Sequence, residues 1–398
     1  MREIAIIGAG PAGAHLASRL AEAGRDVVLF DAKGAWEKPC GGGVPTRAIR
    51  EFAFLLEDSN YPRNLVRRLT LISPTDRRVT VKLEEPFAIY SRRDLNSLVL
   101  DRALEQGTEF IRAAVSDFSR EGEGWIISTG DGRRFRVRFL VGADGAASFT
   151  RRRLLGIFPA RDIALAFGYN VVADQASNGK NSSAQEEAVV RFPKNFTGYL
   201  WAFPRPGVMN FGVASKLGER TSDDLRSLLS SFVKDYYEGR MPSPERVSFF
   251  GAKIPTLDLS SWTGLRASGE AWALVGDAAG FCDPITGEGI YYAFKSADLL
   301  ARVLIDAGSG DAPDGYDRVT SLYEKLWRES FGHELEKASH RLPMFYHGRF
   351  YGHDFSDAVV RLARYHRGVR TVLVRAVMGD QSYITLKGDL LRRAWQVF

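Results

Sequence analysis

Cysteine is nearly absent from this chain: only Cys40 and Cys282 occur, and they do not form a C-x-x-C pair. That excludes a disulfide-stapled secreted scaffold and a thiolate zinc site, and a reducing, cytoplasmic compartment is expected. Long apolar runs are missing too. The apolar start from Ile4 to Leu20 is interrupted by Gly8, Gly10, Pro11, Gly13 and His15, so neither a signal peptide nor a membrane span is expected there. Charge of one sign is scarce: 54 Lys and Arg face 48 Asp and Glu, a net of +6 with the signs interspersed, and no nucleic-acid partner is expected. Gly-x-Ser-x-Gly, His-Glu-x-x-His and a phosphate-binding Lys-Ser/Thr loop are all lacking, which removes the hydrolase, metalloprotease and NTPase readings. His333, His340 and His347 recur every seven residues. Seven helical residues rise ~10.5 Å, too far to share one ion, and Pro343 is expected to break the helix, so no metal is assigned.

What is present is an ordinary globular composition, 45% hydrophobic and 26% charged over 398 residues, enough for two or three structural units. Residues Glu3 to Ile7 read as a short strand buried on both faces and Pro11 to Ala23 as a helix with proline in its first turn. Val27 to Phe30 then reads as a second strand with Asp31 at its tip. Gly8-Ala-Gly-Pro-Ala-Gly13 fills the first turn. Gly8 suits the tight bend, Gly10 the close approach of a pyrophosphate and Gly13 helix-on-strand packing, while Asp31 stands where an acid accepts from the ribose hydroxyls. A glycine-rich turn alone also serves packing; strand, helix, second strand and acid together point to a dinucleotide.

Further along, Leu69 to Ile72 and Val79 to Leu83 read as a hairpin about Thr75-Asp76-Arg77, breaking the β-α-β alternation. Asp94 to Gln106 reads as a helix, Glu109 to Val115 as a strand, and Trp125 to Thr129 with Phe135 to Val141 as a second hairpin. Short strands dominate from Ile163 to Ile254 around one helix near Ser222 to Tyr237, and Ala176 to Glu187 is expected to be a mobile loop. Helical periodicity takes over after Tyr291. Val359 to Val377 reads as one amphipathic helix, with Val359, Leu362, Val369, Val372, Leu373 and Val377 on one half and Arg361, Arg364, Arg367, Arg370 and Arg375 on the other. It either rests on anionic lipid or covers the protein's own core.

Three glycine-centred motifs in this order, Gly8 to Gly13, Val141-Gly-Ala-Asp-Gly-Ala-Ala-Ser148 and Val275-Gly-Asp-Ala-Ala-Gly280, resemble those of the flavin-dependent oxidoreductases of the aromatic-hydroxylase superfamily. Lys38-Pro-Cys-Gly-Gly-Gly-Val44, Gly198-Tyr-Leu-Trp-Ala-Phe-Pro204 followed by Gly207 and Gly212, and Asp283-Pro-Ile-Thr-Gly-Glu-Gly289 resemble more narrowly the geranylgeranyl reductase family. The resemblance implies an α/β plus α+β fold: a discontinuous Rossmann-type FAD-binding domain (1–68, 91–160 and 262–330), an inserted sheet-based substrate domain (69–90 and 161–261) and a helical C-terminal region (331–398). It implies FAD as cofactor, with Gly8, Gly10, Ala12, Gly13, Asp31, Ala32, Lys33, Cys40, Gly41, Gly42, Gly43, Arg92, Val115, Asp144, Gly145, Asp277, Pro284, Gly287, Gly289 and Ile290 around it. Arg92 resembles the arginine lying along the flavin, although Asn96 stands where the family usually has an acid.

In a strand Tyr199, Trp201 and Phe203 share one face, either a core face or the wall of a substrate cavity. The glycines after Cys40 let backbone lie against a flat ring, while Cys40 itself is either a small buried hydrophobe or a perturbed thiol at the reacting edge. Asp277 either binds the cofactor's ribityl or pyrophosphate portion or caps a helix, and Asp144 could cap in the same way. Glu288 is either a hydrogen-bonded loop acid or a proton source. The implied activity is saturation of carbon-carbon double bonds in a prenyl, geranylgeranyl-type lipid or quinone side chain, with Cys40, Tyr199, Trp201 and Phe203 at the reacting region. The alternative within the fold is a flavin-dependent monooxygenase or halogenase acting on an aromatic substrate. The halogenase form lacks its Trp-x-Trp-x-Ile-Pro motif here. The electron donor, NAD(P)H or a ferredoxin-type protein, is left open because one G-x-G-x-x-G shows no second nucleotide site. The partners implied are the prenyl lipid, a possible electron-donor protein and a membrane surface touched peripherally.

Overall fold

The computed structural model describes residues 1–173, 186–307, 315–350 and 353–394. The first sheet grows from the β-α-β unit. Arg2–Ile7 and Val27–Phe30 pair in parallel around the helix Pro11–Glu22, and Ile4, Ala5 and Ile6 are fully buried because the sheet is covered on both faces. Glu109–Ile111, Arg134–Gly142 and Trp272–Leu274 continue the parallel order on either side. The expected strand to Val115 ends at Ile111, and a new strand, Val115–Glu121, turns away to pair with Gly124–Thr129. The helices Arg92–Glu105 and Ile290–Asp306 pack against Pro11–Glu22. The strands ending at Ile7, Phe30, Gly142 and Leu274 all point the same way, so the turns that follow them converge at one edge, where open α/β sheets bind ligands.

The second sheet runs in the order Val247–Pro255, Ile163–Val172, Val208–Lys216, Gly198–Arg205, Glu187–Arg191, Arg63–Ile72, Arg78–Tyr90, Gly43–Val44. The hairpin is longer than its apolar pattern suggested, and Asp76 makes its turn at φ 59°. Alternation divides the strand Gly198–Arg205 between two cores. Leu200 and Ala202 join Phe211 beneath the helix Ser222–Tyr236, which opens on a capping box between Thr221 and Asp224. Tyr199 and Phe203 face the opposite side, toward a core shared with the C-terminal helices.

Two expectations about that C-terminal region are corrected. Val359 to Val377 is two helices, Phe355–Tyr365 and Arg367–Val377, divided at His366, whose extended backbone (φ −111°, ψ 107°) breaks the wheel. The buried set is therefore Val360, Ala363, Val369, Val372 and Leu373, while Leu362 is 41% exposed. The helix His333–His347, in contrast, runs through Pro343. Tertiary bonds anchor it on both sides of the proline: Trp262 Nε1 donates to Ser339 Oγ at 2.8 Å and Tyr346 OH to Ile285 O at 2.7 Å. Most of the expected loop from Ala176 to Glu187 lies outside the described residues.

Candidate active site

A cavity of about 580 Å³ opens between the converging turns of the first sheet and the inner face of the second. Its near end is the dinucleotide-type turn. Gly8, at φ +105°, has no room for a β-carbon, which would lie 2.5 Å from Ala143 O; Gly10 faces open space, with nothing among the described residues within 4 Å of its would-be β-carbon. The protein's own packing therefore requires glycine at Gly8, and only a ligand would require it at Gly10. Gly13 points away, its would-be β-carbon 1.9 Å from Gly8 O, so it serves the turn and does not line the cavity. Asp31 closes the turn: Oδ2 accepts from Ala9 N at 2.9 Å and Oδ1 from Lys33 N and Gly34 N at 2.7 and 2.9 Å.

Ala12, Ala32, Lys33, Val115, Asp144, Gly145, Gly287, Gly289 and Ile290 all line this cavity; Pro284 lies behind it, beside Tyr346. Asp144 is occupied in holding the helix Phe149–Leu154, accepting from Thr150 N at 2.9 Å and from Ser148 Oγ. Asp277 pairs with Lys38 Nζ at 3.2 Å on the cavity rim. Arg92 is buried in the wall and reaches Asn96 Oδ1 at 3.3 Å, yet its Nε finds no hydrogen-bond partner among the described residues. An unpaired buried guanidinium nitrogen in the wall of the cavity into which a glycine turn opens fits a bound dinucleotide.

The far end is aromatic. Tyr199, Trp201 and Phe203 follow one another along the inner face, ring centroids 5.8 and 6.3 Å apart. Trp201 is seated by its cross-strand neighbour Gly212, where a β-carbon would lie 2.0 Å from the indole Cζ2, and its Nε1 donates to Asn210 Oδ1 at 2.7 Å. The Cys40–Gly43 loop joins the two ends. A β-carbon at Gly41 would come within 3.1 Å of Phe203 Cδ2 and 3.3 Å of Trp201 Nε1, so glycine there lets the backbone lie close against the aromatic wall.

The two cysteines, both free and both in the wall, are opposites electrostatically. Burial raises the Cys40 thiol, but Arg92, the Gly42 amide (to Sγ at 3.3 Å) and Arg205 outweigh it and hold the thiol below its ordinary range. Burial, with Asp277, Glu288 and Asp283 nearby, pushes Cys282 well above it.

Several groups in this site carried no functional assignment from the sequence. Arg205, 5% exposed, binds Glu37 Oε1 at 2.7 Å and the Cys40 carbonyl. It continues the alternation of Tyr199, Trp201 and Phe203 by one step, which was the available signal. Tyr383 lines the cavity and donates to Asp283 Oδ2 at 2.8 Å from a hundred residues away, without a local signal. Arg47 lies 3.7 Å from Glu288 and stacks 3.9 Å over the Tyr291 ring.

Comparisons with known proteins agree with this geometry. The FAD binding domain family matches residues 1–199. A geranylgeranyl diphosphate reductase of Rhodobacter capsulatus is 31% identical over 75% of this chain and 73% of its own length. A menaquinone reductase of Mycolicibacterium smegmatis is 29% identical over 78% of each. The crystal structure of a geranylgeranyl bacteriochlorophyll reductase-like protein from Thermoplasma acidophilum superposes with a TM-score of 0.76 over 98% of this chain and 99% of that one, at 20% identity. FAD is thus the cofactor and the protein an FAD-dependent oxidoreductase: the chain belongs to the geranylgeranyl reductase family of FAD-binding proteins.

Proposed function

We propose that the protein reduces carbon-carbon double bonds in the prenyl chain of a geranylgeranyl-type lipid or quinone. The observation that carries this reading is the contact of Gly41 with Phe203 and Trp201, which brings the glycine loop and an apolar aromatic wall into one cavity. When reduced, bound FAD supplies a hydride. Gly8, Gly10 and Ala12 would take its pyrophosphate, Asp31 its ribose, and Arg92 and the Cys40–Gly43 loop would lie along its ring. The helix Ile290–Asp306 starts at the cavity, which Gly289 and Ile290 line, so the positive end of its dipole favours negative charge there, while its Tyr291 amide is taken by Glu288. Tyr199, Trp201 and Phe203 hold an extended hydrocarbon by burial and keep water from the reacting carbons. Cys40 borders the reacting region.

Among the described residues no helix is long and apolar enough to cross a membrane. Contact with the lipid's home membrane is proposed to be peripheral, through exposed Arg361, Arg364 and Arg367 beside exposed Leu362 and Tyr365. The electrons come from an external NAD(P)H or ferredoxin-type donor. Anaerobic incubation of the chemically reduced protein with geranylgeranyl lipids should give products heavier by two hydrogens per bond reduced. Unchanged lipid would defeat the reading, and oxygen uptake on addition of an aromatic substrate would point to a monooxygenase or halogenase instead.

A further inference from the structure

Strand register builds a further apolar surface beside the aromatic wall. Tyr199 stands opposite Ala214, Ala214 opposite Ala166 and Ala166 opposite Ala252, so one row crosses the strands Gly198–Arg205, Val208–Lys216, Ile163–Val172 and Val247–Pro255. The next row on the same face is Trp201, Gly212, Gly168 and Phe250. Its two rings lie over its two glycines: a β-carbon at Gly212 would be 2.0 Å from Trp201 Cζ2, and one at Gly168 would be 1.9 Å from Phe250 Cζ. On the other side of the alanine row Ile254 stands opposite Ala164.

The result is a trough. Ala214, Ala166 and Ala252 make its floor, the Trp201 and Phe250 rings one side and Ile254 the other, and all six line the cavity. The lysines beside it turn away. Lys216 Nζ donates to Arg161 O at 2.9 Å and to Thr256 O, and Lys253 alternates to the outer face, where it is exposed. The inner end meets the Asp283–Gly289 loop, where the would-be β-carbon of Gly287 lies 3.7 Å from both Ile254 Cδ1 and the Tyr199 hydroxyl. The outer end is the edge of the sheet: among the described residues Val247–Pro255 pairs on one side only, and Phe250, Ala252 and Ile254 are half-buried there. From Tyr199 to Ala252 is three strand spacings, or about 14 Å, the length of a few isoprene units.

The cavity's other apolar wall, beneath the C-terminal helices, is built differently. Phe192 and Phe345 meet there with ring centroids 5.7 Å apart, and Tyr346 OH is tied to Ile285 O, so large side chains interlock as core. Ala166, Trp201 and Ala214 belong to a separate cluster in which small floor residues leave room. We infer that the prenyl chain lies across the strands in this trough, over Ala214, Ala166 and Ala252, and reaches the sheet edge past Phe250 and Ile254; this rests on the prenyl-reduction reading above. A floor of methyl groups between apolar sides recognises a hydrocarbon by burial alone. Ala252, at the outer end, then sets the length of chain accepted.

Photolabelling reads the path without turnover. Two geranylgeraniol analogues, one with a diazirine in the terminal isoprene unit and one with it in the unit next to the alcohol, are photolysed on the FAD-loaded protein and the labelled peptides are mapped by mass spectrometry. At least one should mark Ala166, Ala214 or the strand Val247–Pro255, and unlabelled geranylgeraniol should suppress the mark. Label from both that is confined to other segments, such as Leu373 to Leu386, or no suppressible label, overturns the trough. Equilibrium dialysis with tritiated alcohols gives the second arm. At FAD content matched to the parent, Ala252→Phe should weaken binding of geranylgeraniol relative to geraniol roughly tenfold or more, and Ala252→Leu by less. A ratio within about twofold of the parent's in both variants overturns the role of Ala252. A parent that labels the strand yet reduces no prenyl chain keeps the trough and defeats the reduction reading, while one that reduces prenyl chains and labels elsewhere does the reverse.

Discussion

Arg205 Nη1 donates to Glu37 Oε1 at 2.7 Å, across 168 residues and from one sheet to the loops of the other. The same guanidinium donates to the carbonyls of Cys40 and of Gly41, the latter at 3.4 Å, while Glu37 also accepts from the Arg92 and Arg93 amides at 3.2 and 3.1 Å. The last residue of the aromatic strand thereby holds the loop that carries the perturbed thiol. Replacing Arg205 by Gln removes a cation that lowers the Cys40 thiol, so its titration should move up and its alkylation at neutral pH should slow. Mass spectrometry of iodoacetamide labelling against pH reads this directly, with buried Cys282 as the unreactive reference. An unchanged Cys40 profile would show that Arg205 has no hold on the thiol.

How much of this was legible depended on whether the signal was local. The β-α-β turn could be read because Gly8, Gly10, Gly13 and Asp31 lie within one supersecondary unit, where spacing dictates geometry. The aromatic wall could be read from the period of a strand. Glu37–Arg205 and Asp283–Tyr383 could not, since partners 168 and 100 residues apart leave no pattern in either segment. The division of Val359 to Val377 at His366 was hidden for another reason: a helical wheel measures periodicity on the assumption that the helix is continuous. Tertiary anchoring likewise decided that Pro343 stays inside its helix.

Gly10 separates cofactor binding from folding. Nothing among the described residues meets a β-carbon there, so Gly10→Val should fold normally but take up little FAD. Flavin absorbance per mole of protein, with far-ultraviolet circular dichroism as the folding check, measures both. Normal flavin content in the variant would mean that no ligand approaches this turn.

Gly212 tests the aromatic wall without touching it. Its would-be β-carbon lies 2.0 Å from Trp201 Cζ2, so Gly212→Ala must displace the indole from its bond to Asn210. Misplacing a wall residue by about 1 Å should lower kcat/KM for prenyl lipid roughly 10- to 100-fold while FAD binding is retained. Equal kinetics in parent and variant would show that Trp201 is not part of the substrate surface.

His15 gives a prediction about stability. It is 5% exposed among Phe52, Phe54 and Phe294, its Nε2 has no hydrogen-bond partner among the described residues, and burial, with Arg19 and Arg102, lowers its pKa from 6.5 to about 3. As the pH falls below 6.5 the unfolded chain gains a proton that native His15 refuses, so stability is lost down to about 3 and this contribution is flat above 6.5. The slope is about 1.4 kcal/mol per pH unit. Urea unfolding of the parent and His15→Phe at about pH 5 and 7 should show a smaller acid loss in the variant; equal losses would place the acid sensitivity elsewhere.

The proposed membrane contact, finally, is constrained by what the C-terminal helices bury. Val360, Ala363, Val369, Val372 and Leu373 are buried in the body, so this apolar face is not available for insertion. What remains outside is Arg361, Leu362, Arg364, Tyr365 and Arg367, with Tyr365 75% exposed. Such a mixture holds to an anionic surface by charge, with the tyrosine ring and one leucine at headgroup depth, and that attraction weakens with salt. Binding to phosphatidylserine-containing liposomes should therefore be present at low salt, fall in about 0.5 M salt, and drop at least roughly tenfold when Arg361, Arg364 and Arg367 are changed to Glu. Those side chains lie outside the cavity, so FAD content and turnover of detergent-dispersed lipid should be unaffected. Equal sedimentation of parent and variant, or binding that persists in salt, would show that this face does not carry the attachment.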